Sequence, residues 1–343
     1  MIGKKRINIG LELLRIWMSF EVILVHYWAH DRGIPSKYLK IFVDTKMLAV
    51  VVFMLVAFIL SSDMIMNGTK EKIYSRFERL AVPYVGWAVI YWLIYCLMDL
   101  ILKTDYVNGI GDLGWQLLFG SSPNLNAQMW YQFNLILLTV LFIIVFRCLK
   151  KHVLFVSGMM MIGCLILQYS NINGTIFLEC PYEIIFPIGR ICEMFPYACL
   201  GIFIGKSGIM EWLKKHTVKT IIGCIFLFVL VGKYMLFVTP AGYGYAGLNS
   251  LVITVFIVTT FYVLPFERLP QILSKGICFF SQYSLGVFAI HFMIGKLVNI
   301  YVCPRLGWMD NTFRGCILIY IISFLICFLL SKIPYKWCKR MVM

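Results

Sequence analysis

The chain has 343 residues, of which 61% are hydrophobic and only 14% are charged. Soluble domains contain roughly 45–50% apolar and about 25% charged residues, so this composition excludes an ordinary soluble protein. The net charge of +15 does not indicate nucleic-acid binding, because the basic residues cluster in short segments between apolar runs. The 12 cysteines lie mostly inside apolar runs and form no CxxC or Cys/His spacing, so no metal site is expected.

Ten apolar segments are long enough to cross a membrane, which takes about 20 mostly apolar residues. They cover residues 9–29, 41–62, 80–102, 127–147, 152–169, 184–205, 218–238, 245–265, 277–300 and 313–333. The first is too long for a signal peptide and lacks a cleavage site. The sequence predicts an all-α integral membrane protein, a bundle of about ten transmembrane helices in one domain over 1–343. The polar stretch 103–126 is expected to form an outer cap.

The distribution of Lys and Arg predicts the orientation of these spans. One alternate set of loops is rich in them: Lys4, Lys5, Arg6, Lys70, Lys72, Arg76, Arg79, Arg147, Lys150, Lys151, Lys206, Lys214, Lys215, Lys219, Arg268, Lys275, Lys332, Lys336, Lys339 and Arg340. The opposite set holds only Arg32, Lys37, Lys40, Lys103, Arg305 and Arg314. Because the basic loops of membrane proteins face the cytoplasm, both termini are predicted to be cytoplasmic.

The first predicted span contains LELLRIWMSFEVILVHYWAH, a segment with several ionisable side chains. Eleven residues make three helical turns plus about 20°, so Arg15 and His26 project from one face, roughly 16 Å apart. Ser19 lies about 40° and Glu12 about 60° from Arg15. We call Glu12, Arg15, Ser19 and His26 the polar stripe. Glu21 points about 240° away and needs another partner.

An ionisable side chain deep in a span costs roughly 2.5–3.5 kcal/mol on insertion scales, and such residues usually face the bundle interior or a wet cavity. A structural interpretation is also open: Arg15 could extend to the inner surface, and His26 could hydrogen-bond a neighbour. Two such residues on one face favour a functional site.

Arg15, ten intervening residues and His26 resemble the signature of the acyltransferase-3 family of multi-pass membrane acyltransferases. The segment ELLRI is similar to its surface-polysaccharide branch. RFERLAVPYVGW resembles the Arg-rich start of the family's third helix, AQMWYQFNLILL its fourth, FPYACLGIFIGK its sixth, and SQYSLGVFAIHF its Ser-Leu-Gly-x-Tyr-x-x-His segment. Val56 and Ala57 replace a Ser and a Gly of the family pattern, and Gln128 stands where a His is common.

The resemblance implies transfer of an acyl group, commonly acetyl, from acyl-coenzyme A to a hydroxyl of a cell-surface polysaccharide or lipid-linked sugar. His26 is the candidate base, because an imidazole titrates near neutrality. Glu12 and Ser19 complete the predicted catalytic set. No metal is expected.

Binding residues follow from the same resemblance. Arg forks hold phosphate oxygens well, so Arg15, Arg76 and Arg79 are expected to bind coenzyme A on the cytoplasmic side. Substrate contacts are expected from Gln128, Trp130, Tyr283 and His291.

Several of these residues also have structural interpretations. Arg76 and Arg79 could be positive-inside anchors, and Trp130 could belong to an interfacial aromatic belt. His291 could be a packed imidazole. Arg190 and Glu193, one turn apart, are predicted to form an ion pair within their helix.

Two rival functions stay open. One is a transporter or flippase of acyl groups or glycan precursors, although the interrupted half-repeats of many transporters are not evident. The other is an inactive partner protein. The expected location is the plasma membrane of a bacterium. The protein is expected to contact the lipid bilayer and to have no nucleic-acid partner. A homodimer and a polysaccharide-assembly partner both stay open, as do the acyl group and the acceptor sugar.

Overall fold

The computed structural model describes residues 8–27, 48–103, 109–120, 129–172, 182–237, 248–308 and 312–343. Within these ranges the regular elements are all helical, which confirms the all-α prediction for this part of the chain. The α-helices are, in chain order, α1 (Ile9–Tyr27), α2 (Ala49–Asn67), α3 (Lys70–Leu102), α4 (Ile110–Phe119), α5 (Trp130–Cys148), α6 (Val153–Ile172), α7 (Tyr182–Ser207), α8 (Ile209–Lys215), α9 (Thr217–Phe237), α10 (Leu248–Val263), α11 (Gln271–Ser281), α12 (Ser284–Leu297), α13 (Phe313–Lys332) and α14 (Lys336–Val342).

A helix lies over the described part of each predicted span, except that the span 277–300 is divided between α11 and α12 at residues 282–283. Among the described residues, 6 segments are long and apolar enough to cross a membrane: Ala49–Asn67, Lys70–Ile101, Trp130–Cys148, Ser250–Arg268, Ser284–Val302 and Phe313–Lys332. Helix α1 is not among them, since it carries Glu12, Arg15 and Glu21. The number of ten spans and the cytoplasmic termini therefore stay predictions.

Helix α3 begins well before the predicted span at residue 80. It has 33 residues and contains Pro83, so it is about 50 Å long, against a hydrocarbon core of about 30 Å. Its first turns, with exposed Lys72 and Arg79, are polar enough to extend beyond the lipid.

Three short α-helices, α4, α8 and α14, lie outside the predicted spans, and two of them, α4 and α14, make hydrogen bonds to residues far along the chain. Helix α4 falls within the expected cap, where it buries Gln116 and accepts a 2.6 Å hydrogen bond from the Tyr84 hydroxyl at the Gln116 carbonyl. Helix α14 packs against α3, where Trp87 Nε1 donates to the Met341 carbonyl at 3.0 Å. Arg340 pairs with Glu78 beside it at 2.8 Å. Both helices are held by contacts with distant residues.

The chain divides into two compact units. Unit 1 consists of the described residues up to Val56 and from Ser207 to Leu325, and unit 2 consists of those from Ala57 to Lys206 and from Ile326 onward. The polar stripe and His291 belong to unit 1, whereas Arg76, Arg79 and Trp130 belong to unit 2. The prediction of one domain over residues 1–343 stays a prediction.

Candidate active site

Helix α1 packs against α10, α11 and α12 of unit 1. Near its start, a Cβ on Gly10 would overlap the carbonyl oxygen of Phe261, so a glycine is needed for this close approach to α10. Two turns further on, the Trp17 and Phe261 rings lie 5.5 Å apart. Lipid tails are as apolar as the helices themselves, so helices in a membrane are held together largely by close packing. Small residues favour this packing because they let two backbones approach closely.

The polar stripe lies on one uninterrupted helix, as predicted from its spacing. Arg15 Nη1 donates to Glu12 Oε2 at 2.9 Å, and both side chains are half-buried. Ser19 is fully buried, donates to the Ile16 carbonyl at 2.7 Å and lies 3.4 Å from the Tyr320 hydroxyl of α13. The guanidinium is therefore held by a carboxylate one turn away.

Glu21, on the opposite side of α1, has the partner that its position requires. Trp17 Nε1 donates to Glu21 Oε1 at 2.7 Å, one turn earlier on the same helix. Glu21 is 1% exposed, so this charge-assisted bond helps to offset its removal from water.

The end of α1 is fixed to α12 through Tyr27. Its hydroxyl donates to the Phe292 carbonyl at 2.6 Å. The Tyr27 ring occupies the space above Gly295, where an added Cβ would overlap the ring atoms. A shape match and a hydrogen bond thus set the distance between α1 and α12 at this point.

This contact brings His26 next to His291. Their ring centroids are 5.5 Å apart, with the planes at 36°. His26 is exposed and its ring also meets the edge of Phe292 at 5.9 Å. The structure therefore brings together two of the predicted site residues from distant parts of the sequence.

The environment of His291 fixes its tautomer. The residue is 0% exposed, and its Nδ1 lies 2.7 Å from the Phe288 carbonyl oxygen. Because a carbonyl oxygen only accepts, Nδ1 is the donor of this hydrogen bond, and Nε2 keeps its lone pair whenever the ring is neutral. Within the described residues, this Nε2 has no hydrogen-bond partner.

The predicted basic residues of unit 2 lie on the first turns of α3. Arg76 is half-buried, and Arg79 is exposed and donates to the Ser75 carbonyl at 3.2 Å. Arg147, at the end of α5, has a structural role that was not predicted. Its Nε donates to the Ile65 carbonyl at 3.1 Å and its Nη2 to the Gly68 carbonyl, so it binds the carbonyls at the end of α2.

Trp130 is buried at the start of α5. The Arg190 guanidinium lies 5.1 Å from the centre of its ring, a favourable cation–π arrangement. Arg190 also pairs with Glu193 at 2.7 Å, which confirms the predicted ion pair within this helix.

Two buried amides on α5 were not predicted as site residues. Gln132 and Asn134 are each 0% exposed, and none of their four side-chain nitrogen and oxygen atoms has a hydrogen-bond partner among the described residues. An unmet buried hydrogen bond costs about 1–3 kcal/mol. The signal in the sequence was their position inside an apolar span, where polar residues are usually functional.

The other two predicted substrate contacts are Gln128 and Tyr283. Gln128 lies outside the described residues. Tyr283 is 3% exposed, and its ring packs edge-on against Phe279 at 5.6 Å and Phe324 at 5.3 Å. This packing leaves little room for a sugar beside the ring.

These features define a helical membrane protein in which an imidazole pair lies at one end of a charged first helix. A sequence model of a family described as an acyltransferase domain matches residues 8–332. The chain therefore belongs to the acyltransferase-3 family of membrane acyltransferases, as its motifs predicted. No curated protein and no solved structure matches the chain.

Proposed function

We propose that the protein is a membrane O-acyltransferase of the bacterial plasma membrane. It moves an acyl group, commonly acetyl, from acyl-coenzyme A to a hydroxyl of a cell-surface polysaccharide or of its lipid-linked precursor. Membership of the family supports the acyl transfer. The contact of His26 with His291, at the far end of the helix that carries Arg15, is the observation that supports the finer proposal.

His26 is the base in this proposal. The hydroxyl oxygen of the sugar bonds to the acyl carbon while the carbon–sulfur bond of the thioester breaks. His26 takes the hydroxyl proton and returns it to the departing sulfur, so that coenzyme A leaves as a thiol. Its exposed ring is accessible to a substrate, and no nucleophile other than the hydroxyl is needed.

His291 was predicted to contact substrate, but its full burial favours a role through His26. We assign it as a positioning residue. Its ring is held by the Phe288 carbonyl and packs on the His26 ring, which limits the orientations that His26 can adopt. Preorganisation of this kind contributes to rate because the reacting groups need not be reoriented during the reaction.

Arg15 is assigned to the phosphates of coenzyme A. It is half-buried and oriented by Glu12, and an Arg in this setting can bind phosphate oxygens through two parallel hydrogen bonds. Glu12 is 14 residues from His26, about 21 Å along the helix, so we assign it to orient Arg15. Ser19 positions α1 against α13. Arg76 and Arg79 stay predicted coenzyme A contacts.

Trp130 stays a predicted substrate contact, and Asn134 is added as a candidate because its buried amide has no hydrogen-bond partner among the described residues. Trp130 and Asn134 are four residues apart and so lie on one side of α5. A sugar hydroxyl can supply the hydrogen bonds that the Asn134 amide lacks, whereas the Trp130 ring already has the Arg190 guanidinium over it. Gln128 and Tyr283 stay predicted substrate contacts. The packing of the Tyr283 ring against its aromatic neighbours does not support that role.

The test uses membrane vesicles given acyl-coenzyme A labelled in its acyl group, together with the polysaccharide or lipid-linked fraction of the same cells. The expected result is label in a base-labile ester on the glycan, and no such label when His26 is replaced by Gln. Passage of unmodified acyl groups or glycan across the membrane, without ester formation, would instead support the transporter hypothesis and overturn the proposal.

A further inference from the structure

A groove of about 750 Å³ lies in unit 1 between α8, α9 and α10. Its volume is within the range of roughly 300–1,000 Å³ of small-molecule sites. Its walls are chiefly apolar: Cys224 and Leu227 line it from α9, and Leu251, Val255 and Phe256 line it from α10. No residue of the polar stripe lines it, so it is distinct from the candidate active site.

Gly223 lines the groove from α9 and has no side chain to fill it. It lies between Thr220 and Leu227 on the lining side of α9, and a Cβ built on it would meet no atom within 4 Å. A larger side chain at this position would therefore extend into free space along the groove. The groove runs about 12 Å along α9 from Lys219 to Leu227.

One end of the groove is basic. Lys219 and His216 line it there, beside Trp212, whose ring lies 5.0 Å from that of His216. No Asp or Glu lines the groove, and Lys219 has no ion-pair partner among the described residues. Of the nearby acids, Glu267 pairs with Lys214, and Glu211 accepts a hydrogen bond from Tyr262.

The surface around the groove is apolar. On α9, Ile222 is 62% and Phe226 66% exposed, and Trp212 at the basic end is 59% exposed. Exposed apolar side chains on a membrane helix contact lipid tails. Because α9 lies over a predicted span, the groove adjoins a surface that is expected to face lipid, with its positive charge at the end that the Lys and Arg distribution predicts to be cytoplasmic.

We infer that this groove binds one anionic phospholipid of the inner leaflet. An acyl chain lies against α9 and α10, and the phosphate is held by Lys219 and His216, with the Trp212 indole at headgroup level. The inner leaflet is the one whose anionic lipids attract basic side chains. This inference does not depend on the acyl-transfer reaction.

The test reconstitutes the full-length protein in nanodiscs with phosphatidylglycerol that carries a photoreactive acyl chain, or with phosphatidylcholine carrying the same chain. Cross-links from phosphatidylglycerol are expected on residues 220–227 and 251–259, at about five times the level from phosphatidylcholine. Lys219→Gln should remove this difference. Lys215→Gln, which changes an exposed lysine outside the groove, should retain it.

A second pair of variants tests the groove itself. Gly223→Leu should fill it and lower cross-linking from both lipids severalfold. Gly163→Leu is the matched control, because Gly163 also has open space around it but lies on α6. Equal labelling by the two lipids, or unchanged labelling in Gly223→Leu, overturns the inference.

Discussion

The imidazole rings of His26 and His291 lie with their centroids 5.5 Å apart, although the two residues come from opposite ends of the chain. One ring is exposed, and the other is buried with its tautomer set by the Phe288 carbonyl. The Tyr27–Phe292 hydrogen bond and the space above Gly295 hold the two helices at this distance. These contacts lead to separate predictions for chemistry and for stability.

Replacing His26 should remove the chemistry while leaving the fold intact. We expect His26→Ala to lower kcat by about 10²–10⁴-fold, the usual contribution of a positioned general base. Acyl transfer to the glycan by purified protein is the measurement. His152→Ala, at an exposed histidine of unit 2, should retain full activity. Wild-type turnover in His26→Ala would remove the residue from the mechanism.

His291 should affect the rate more than binding. His291→Asn keeps a donor near the Phe288 carbonyl but removes the ring that packs on His26. We expect kcat to fall roughly tenfold, about 1.4 kcal/mol of transition-state stabilisation, with KM for acyl-coenzyme A unchanged. If kcat falls and KM rises together, and the amount of folded protein falls as well, His291 has only a packing role.

Gly295→Ala should push α1 away from α12, because its Cβ would overlap the Tyr27 ring. Overpacking of this kind costs about 1–3 kcal/mol, so we expect a lower Tm and lower activity together. Gly276→Ala, on α11 with open space around it, is the control and should change neither. In a Tyr27→Ala background the added methyl group would meet no ring, so Gly295→Ala should cause little further loss of Tm there; the same further loss as in the wild-type background would argue against the proposed contact.

Arg15→Gln should weaken binding of the donor. We expect KM for acyl-coenzyme A to rise about tenfold, since a charge-assisted hydrogen bond to phosphate is lost, with kcat little changed. Arg268→Gln, at an exposed arginine of the same unit, should leave KM unchanged. Glu12→Gln separates the two interpretations: if Arg15 serves only as an ion-pair partner, both variants should alter Tm and neither should alter KM.

Asn134→Leu should raise stability and lower activity. Removing a buried amide whose hydrogen bonds are unmet relieves a cost of about 1–3 kcal/mol, so we expect a higher Tm. If the amide binds the acceptor, KM for the glycan should rise at the same time. Thr139→Val is the control, because the Thr139 hydroxyl is already bonded to the Leu135 carbonyl. A higher Tm with unchanged kinetics would exclude Asn134 from the site.

Features that depend on short stretches of chain were predictable from the sequence. Apolar runs of about 20 residues indicated helices at ten places; a helix lies over the described part of nine of them, and the run 277–300 is divided between α11 and α12. The Arg190–Glu193 ion pair followed from a separation of three residues. The shared face of Arg15 and His26 followed from helical periodicity alone. In each case the distance between the groups is fixed by backbone geometry.

The partners of these groups were decided only by the tertiary structure. The residues that flank His26 in the sequence do not indicate that its ring contacts His291. Those that flank Arg147 do not indicate that it binds the carbonyls of Ile65 and Gly68. Such contacts depend on which helices lie side by side and how closely they approach. That approach is set by shape, as at Gly295, where the lack of one carbon atom makes room for the Tyr27 ring. The sequence therefore determined the helices and the polar stripe, and packing between distant segments determined what that stripe faces.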